Sequence, residues 1–196
     1  MDVQPLLIAG EWRAARESAE SFRAIDPSSG EAIGPTFPVS GESDLQAALT
    51  SACAVADELA GAPPSGIADF LDGYAQAIDD DAATLVALAH AETALPADTR
   101  LAKVELPRTS RQLRLAAQAV RSFAWTQPVI DTAAGLRAHY APLHKPVLIF
   151  GPNNFPLAFN AVAGSDFASA IAARNPVIAK AHPSHPATSQ RLAELA

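Results

Sequence analysis

The 196-residue sequence contains one cysteine, Cys53, and fewer basic than acidic residues. A lone cysteine excludes an internal disulfide and a cysteine-rich zinc site, and it is typical of a reducing compartment. Fourteen Lys and Arg stand against 21 Asp and Glu, giving a formal net charge of −7, which disfavours nucleic acids and anionic membranes as partners. The sequence also lacks an apolar run of about 18 residues and the pattern of a secretory signal. We therefore expect a soluble, cytoplasmic protein that binds neither nucleic acid nor a membrane.

Strands and turns are predicted for the first 40 residues. Apolar runs at residues 6–8 and 22–25 are each followed by turn residues, which is typical of short strands. Residues 31–40 form a further extended segment, and Pro35 and Pro38 restrict it to the edge of a sheet because proline cannot donate a ladder hydrogen bond.

Helical spacing of apolar residues dominates from residue 43 to residue 123. The first helix is predicted to begin at an N-cap, Ser43, and to end at Gly61. Cys53 lies on its apolar stripe, so we expect a buried packing residue and not a nucleophile. A long helical pattern over residues 97–123 contains Pro107, which should kink or split the helix because it has no N–H.

The last part of the chain alternates between strand and helix patterns. Residues 125–146 predict an extended hairpin, and the wholly apolar run at residues 147–150 predicts a strand buried on both faces. A helix over residues 157–173, a second strand ending at Lys180 and a helix from Ala187 then predict a parallel α/β sheet. Two parallel strands are too few for a stable open sheet, so either more sequence or another chain should complete it.

Two features at the ends of these strands are candidate binding groups. The loop at residues 151–156 contains Asn153 and Asn154, and ligands of open α/β sheets bind at the carboxyl ends of the strands. Asparagine also favours turns and helix caps, so a purely structural role stays open. Lys180 could bind a ribose or a phosphate, or it could be an ordinary solvated lysine. No G-x-G-x-x-G motif follows the first strand.

Several motifs in order resemble the aldehyde dehydrogenase superfamily, most of all its NADP-using α-ketoglutarate semialdehyde dehydrogenase branch. The similarity extends over essentially the whole chain, which would be the first two-fifths or so of a typical member. The matching segments are residues 10–12, 26–31, 92–96, 108–114, 150–160 and 176–183.

The resemblance implies an α/β fold, namely a truncated aldehyde-dehydrogenase-like, Rossmann-type cofactor domain with N-terminal strands and a helical segment. Residues 1–124 would be the N-terminal strands and helices of that domain, and residues 125–146 an oligomerisation arm. Residues 147–196 would be the first, incomplete β-α-β-α part of the nucleotide-binding sheet. A homo-oligomer is therefore expected.

The resemblance also implies roles for residues in the two strand-end loops. The amide of Asn154 would help to form the oxyanion hole for the thiohemiacetal intermediate, since a fixed donor stabilises charge on the aldehyde oxygen. The backbone of the residues before it would line the cofactor; these are Phe150, Gly151, Pro152 and Asn153.

The adenosine side of the cofactor would be bound after the second strand. Lys180 would bond the ribose, and Pro183 replaces a glutamate that NAD-preferring relatives carry, which removes a barrier to NADP. His182 or His185 could assist. Although these two histidines have the spacing of a metal pair, they are flanked by prolines and lack a third ligand, so we expect no metal.

The activity implied is that of an NAD(P)-dependent aldehyde dehydrogenase, which oxidises a small aldehyde, for example α-ketoglutarate semialdehyde, to a carboxylic acid. Its nucleophilic cysteine and glutamate base would lie outside residues 1–196, so this chain alone should be inactive. The alternative is a short, non-catalytic homologue that acts as a nucleotide- or partner-binding module.

Overall fold

The computed structural model describes residues 3–18 and 20–196, and helices dominate the part between residues 42 and 126. A π-helical segment, Ala97–Glu105, lies between α4 and α5, and a 3₁₀ turn, Ala124–Thr126, follows α5. No helix in the described ranges is long and apolar enough to cross a membrane. The helices are α1 (Glu42–Ala54), α2 (Ala56–Gly61), α3 (Pro64–Asp80), α4 (Ala82–Thr93), α5 (Leu106–Arg121), α6 (Ser165–Ala172) and α7 (Pro186–Leu195).

Short strands form four two-stranded sheets in the described part of the chain. Three pairs are antiparallel, β1–β2, β3–β4 and β5–β6, and the pair β7–β8 is parallel. The predicted hairpin and the predicted parallel pair are therefore both confirmed. The strands are β1 (Leu6–Ile8), β2 (Glu11–Arg13), β3 (Ser21–Ile25), β4 (Ala32–Pro38), β5 (Val129–Asp131), β6 (Leu136–Ala138), β7 (Val147–Phe150) and β8 (Val177–Lys180).

The core is built around α3 and α5, which pack along their length. In α3 the buried residues recur at helical spacing, and Pro64 occupies the first turn, where its missing N–H leaves no hydrogen bond unmade. The inner faces of α4, α6 and α7 and one residue of β7 join the same cluster. Burying each large aliphatic side chain contributes about 1.5–3 kcal/mol to folding. The core residues include Leu71, Ile78, Leu85, Leu101, Leu113, Ile149, Phe167 and Leu192.

The first helix begins earlier and ends earlier than predicted. Gly41, not Ser43, is the N-cap residue, and a Cβ at Gly41 would lie 2.7 Å from the Cβ and the carbonyl oxygen of Glu17. Ser43 therefore lies inside the first turn, where its buried hydroxyl has no partner among the described residues. The predicted helix is also split at Val55, between α1 and α2.

Cys53 is exposed, so the prediction of a buried packing cysteine is wrong. The residues that α1 buries are Asp44 and Ala52. The Asp44 carboxylate accepts the backbone N–H of Arg16 at 3.1 Å, so part of the inward face of α1 is taken by a polar side chain. Leu45, on the predicted apolar stripe, is exposed as well.

The helix predicted over residues 157–173 forms only from Ser165 onward. Asn160 prevents an earlier start, because its side chain replaces the hydrogen bonds that a helix would make. Its Nδ2 donates to the carbonyl of Pro156 at 2.8 Å, and its Oδ1 accepts the N–H of Val162 at 3.0 Å. Gly164 then allows the close approach of Phe159 backbone atoms, 2.7 Å from an ideal Cβ position.

Strand β7 is not buried on both faces, which corrects a further prediction. Ile149 packs into the core, whereas Leu148 and Phe150 are 48% and 65% exposed. α6 contacts one face of the β7–β8 pair, and the described residues do not cover the other face of β7.

Pro107 marks a change of helix type, so the predicted interruption is confirmed. It lies in the first turn of α5, directly after the π-helical segment. In that segment the N–H of Leu101 bonds to the carbonyl of Pro96 at 3.0 Å, five residues back. π-helical turns are rare, and they concentrate at functional sites.

Tyr74 provides a test of the packing between α3 and α7. Its buried hydroxyl donates to the carbonyl of Leu192 at 2.9 Å, and burial raises the pKa of Tyr74. We expect Tyr74→Phe to lower the free energy of unfolding by about 1–2 kcal/mol, because a buried acceptor loses its donor. Tyr140→Phe is the matched control, since Tyr140 is exposed and should change stability by less than about 0.5 kcal/mol. Urea unfolding of both variants measures the difference, and equal effects would contradict this role of Tyr74.

Candidate functional site

Two loops meet at the carboxyl ends of β7 and β8. The parallel register places Phe150 opposite Lys180, so both strands end at the same edge. The loops that follow are joined by a hydrogen bond of 3.0 Å between Nε2 of His185 and the carbonyl oxygen of Pro152. This edge is where ligands of parallel sheets bind, and we take it as the candidate site.

His185 joins the two loops as a neutral imidazole. Its ring is buried, and burial lowers its pKa. Because a carbonyl only accepts hydrogen bonds, the proton must sit on Nε2, which leaves Nδ1 facing the hydroxyl of Ser189 at 3.4 Å. The ring of His182 stacks on it with centroids 5.2 Å apart.

His182 is also held in its neutral form. Partial burial lowers its pKa, and the positive charge of Lys180 lowers it further. Its Nδ1 accepts the N–H of Ser184 at 3.1 Å, which puts the ring proton on Nε2. The exposed side chain of Lys180 therefore has two neutral imidazoles in the loop that follows it.

Asn154 is exposed, and its loop is fixed through the backbone. A guanidinium N–H of Arg100 donates to the carbonyl oxygen of Asn154 at 3.2 Å. The same guanidinium lies 4.4 Å from the ring centroid of Phe155. The side-chain amide of Asn154 makes no hydrogen bond to the described residues, so it is available as a donor.

Glu105 anchors this loop from inside the protein. Its carboxylate is fully buried and accepts Nε–H of Arg100 at 2.9 Å through one oxygen. Its other oxygen accepts the backbone N–H groups of Leu157 and Ala158 at 3.2 and 3.4 Å. Both charged groups come from the π-helical segment, Ala97–Glu105, which thereby positions the loop that follows β7.

Glu92 anchors the loop between β8 and α7 in the same way. Its buried carboxylate accepts the backbone N–H groups of Ala187 and Thr188 at 2.8 and 2.9 Å, and also the hydroxyl of Thr188. Burial raises the pKa of Glu92, and these hydrogen bonds oppose that shift. The carboxylate fixes the start of α7, and with it the position of His185.

Sequence reasoning missed the roles of Arg100, Glu105 and Asn160. A signal for Glu105 exists, because it shares the four-residue spacing of Leu101, and a charged residue on a core-facing stripe requires a partner. No comparable signal marks Arg100, whose partners are 5 and 54 residues away in the sequence.

The predicted site residues lie together at this edge, and Cys53 is not one of them. Phe150, Pro152, Asn153, Asn154, Lys180 and Pro183 are exposed there, and Gly151 and His182 are half-buried. Position 151 requires glycine because the backbone passes close by: a Cβ there would lie 2.8 Å from the carbonyl oxygen of Phe159. Cys53 lies on the surface of α1.

Comparisons with known proteins identify the family of this chain. Residues 12–196 match the aldehyde dehydrogenase family. Alpha-ketoglutaric semialdehyde dehydrogenase 2 of Azospirillum brasilense is 41% identical over 197 residues, covering 94% of this chain and 36% of that protein. Alpha-ketoglutaric semialdehyde dehydrogenase of Acinetobacter baylyi is 39% identical over 138 residues, covering 65% of this chain and 25% of that protein.

A solved structure shows the same fold. Aldehyde dehydrogenase C of Pseudomonas syringae, a mutant in complex with NAD+ and octanal, superimposes with a TM-score of 0.85 at 20% identity. The match covers 98% of this chain and 38% of that one, and the fold predicted from sequence is confirmed. The chain spans about a third of the length of its curated relatives. With its family match from residue 12 to residue 196, the chain belongs to the aldehyde dehydrogenase family.

Proposed function

We propose that the protein containing this chain oxidises a small aldehyde, such as α-ketoglutaric semialdehyde, to a carboxylic acid with NADP or NAD as the oxidant. In that reaction the carbonyl carbon loses a hydride and gains an oxygen from water, and protons are released. The observation that carries the proposal is the exposed, unengaged amide of Asn154 at the carboxyl edge of a parallel strand pair.

Asn154 would stabilise the oxygen of the aldehyde. When a cysteine thiolate from outside residues 1–196 adds to the carbonyl carbon, negative charge develops on that oxygen. A donor that is already in position stabilises this charge without reorganisation. The bond from Arg100 and the buried anchor at Glu105 would supply that fixed position, because they hold the loop through its backbone and leave the Asn154 amide unbonded.

The residues at the strand ends fit a dinucleotide. The segments 150–154 and 180–185 contain no carboxylate, so nothing there repels a phosphate. Lys180 would donate to ribose hydroxyls, Nε2–H of His182 would be a neutral donor near Pro183, and the backbone of residues 150–153 would line the binding surface. When bound, the dinucleotide supplies the nicotinamide ring that accepts the hydride.

The same family likeness supports an assembly of several copies through the β5–β6 hairpin. All three residues of each strand are exposed, and they include Val129, Ile130 and Leu136. A two-stranded hairpin that exposes apolar side chains is only marginally stable in water on its own. We propose that the hairpin packs against a second copy of the protein.

This 196-residue chain by itself should not oxidise aldehydes. Its one cysteine, Cys53, is exposed on α1, and the thiol forms no hydrogen bond to a base among the described residues. The measurement is the appearance of NADPH or NADH with a panel of aldehydes, which should not exceed background. Cofactor binding without turnover would fit the alternative, a nucleotide-binding homologue, whereas turnover that persists in Cys53→Ser would contradict the proposed chemistry.

In the complete protein, Asn154→Ala should lower kcat by about 10²–10³-fold, the effect of removing one oxyanion donor. Asn154→Asp keeps the shape but replaces the donor with a carboxylate, so it should lower kcat at least as much. The KM for the cofactor and the melting temperature should be unchanged, because the side chain is exposed. Steady-state kinetics with either cofactor test this, and an unchanged kcat in both variants would remove Asn154 from the mechanism.

Pro183→Glu should shift cofactor preference toward NAD. A carboxylate at this exposed position would accept ribose hydroxyls and repel a 2′-phosphate, and specificity often depends on such a repulsive group. The readout is the ratio of kcat/KM for NADP and NAD in the complete protein. Pro128→Glu is the control, since it adds the same charge at an exposed proline beside the hairpin. If the ratio does not move, the loop after Lys180 is not at the 2′ position.

A further inference from the structure

Two arginines and two aromatic rings form a continuous strip beside Asn154. The guanidinium carbon of Arg100 lies 4.4 Å from the ring centroid of Phe155, and that of Arg108 lies 4.6 Å from the ring centroid of Phe159. The two rings meet edge to face, with centroids 5.1 Å apart. We call this set of four side chains the arginine–phenylalanine strip. It begins at Asn154, whose carbonyl oxygen bonds Arg100, and it ends at Arg108.

The two arginines differ in how their charge is compensated. Arg100 donates to the buried Glu105 carboxylate at 2.9 Å and to a carbonyl oxygen at 3.2 Å, so its charge and donors are largely used. Arg108 is exposed and forms no ion pair within residues 3–18 and 20–196. Its guanidinium rests on the Phe159 ring, a contact that orients a cation but leaves its N–H donors unbound.

Some arginines of this chain, whose net charge is −7, have acidic partners in the described ranges, and Arg108 is not one of them. Arg114 pairs with Asp79 at 2.7 Å, and Arg121 pairs with Asp72 at 2.6 Å. What distinguishes Arg108 is its place on the Phe159 ring, in the strip that begins at Asn154. A guanidinium that lacks an acidic partner can receive a carboxylate there, because its planar fork binds both carboxylate oxygens at once.

We propose that Arg108 binds the carboxylate at the far end of the substrate. This inference rests on the proposed function, in which the aldehyde end of the substrate meets Asn154. The rings of Phe155 and Phe159 would pack against the carbons between the two ends, since they form the apolar part of the strip. Arg108 would thus select aldehydes that carry a distal carboxylate over neutral aldehydes of the same length, and Arg100 would position the loop without binding substrate.

The test compares 5-oxopentanoate with pentanal, two five-carbon aldehydes that differ in the group at the far end. In the complete protein, Arg108→Met should lower kcat/KM for 5-oxopentanoate by about 10- to 100-fold, the loss of a hydrogen-bonded charge contact. It should leave kcat/KM for pentanal unchanged, because methionine still packs on Phe159. Arg108→Lys should recover part of the loss, since it restores the charge but not the planar fork.

Arg111→Met is the matched control, because Arg111 is an exposed residue of the same helix and its loss changes the net charge equally. It should leave the ratio of the two kcat/KM values at the wild-type level. If Arg111→Met lowers the ratio as much as Arg108→Met, general charge attraction explains the preference and the proposal is overturned. Equal losses for both aldehydes in Arg108→Met would overturn it too, since they would indicate a structural role.

A binding measurement separates failure of this inference from failure of the proposed function. Glutarate has a carboxylate at each end and needs no turnover, and its binding can be followed by saturation-transfer NMR. If the wild-type protein oxidises neither aldehyde, the proposed function fails, while loss of glutarate binding in Arg108→Met alone would still support the carboxylate site. Glutarate binding that is absent in the wild type, or equal in all variants, would overturn it.

Discussion

The buried carboxylate of Glu105 is the interaction on which the candidate site depends. A fully buried charge is costly unless it is paired and hydrogen-bonded, and here three donors meet it from two directions. Arg100 approaches from the π-helical segment, and the N–H groups of Leu157 and Ala158 approach from the chain after β7. The carboxylate therefore connects a helical segment to a strand-end loop that lies more than 50 residues further along the sequence. Without it, neither Arg100 nor the Asn154 loop would have a fixed position.

The features that could be predicted from sequence are those that depend on near neighbours. The apolar run of β7, the turn after it and the second strand ending at Lys180 are local patterns, and their order is enough to predict a parallel pair. The position of Asn154 next to a strand end follows from the same order. Pro107 likewise acts on the residues beside it, so the interruption of the helix could be anticipated from that residue alone.

The predictions that failed involve side chains whose partners are distant or unexpected. The start of α6 depends on Asn160, whose side-chain amide bonds the backbone of Pro156 and Val162. The spacing of apolar residues contains no information about such side-chain hydrogen bonds. Cys53 is exposed on α1, whose buried residues include Asp44, a polar side chain that bonds a backbone N–H 28 residues away. The role of Arg100 depends on a carbonyl 54 residues away. In each case a polar side-chain contact of the folded state lies outside the pattern that is regular in the sequence.

Two side chains hold the loop after β7 through its backbone carbonyl oxygens. Arg100 bonds the carbonyl of residue 154, and His185 bonds the carbonyl of residue 152. Because every amino acid carries that carbonyl, these two hydrogen bonds do not depend on which side chains stand at positions 152 and 154. Evolution can therefore exchange the outward-facing groups here, and so change the chemistry they perform, without having to rebuild the scaffold beneath them.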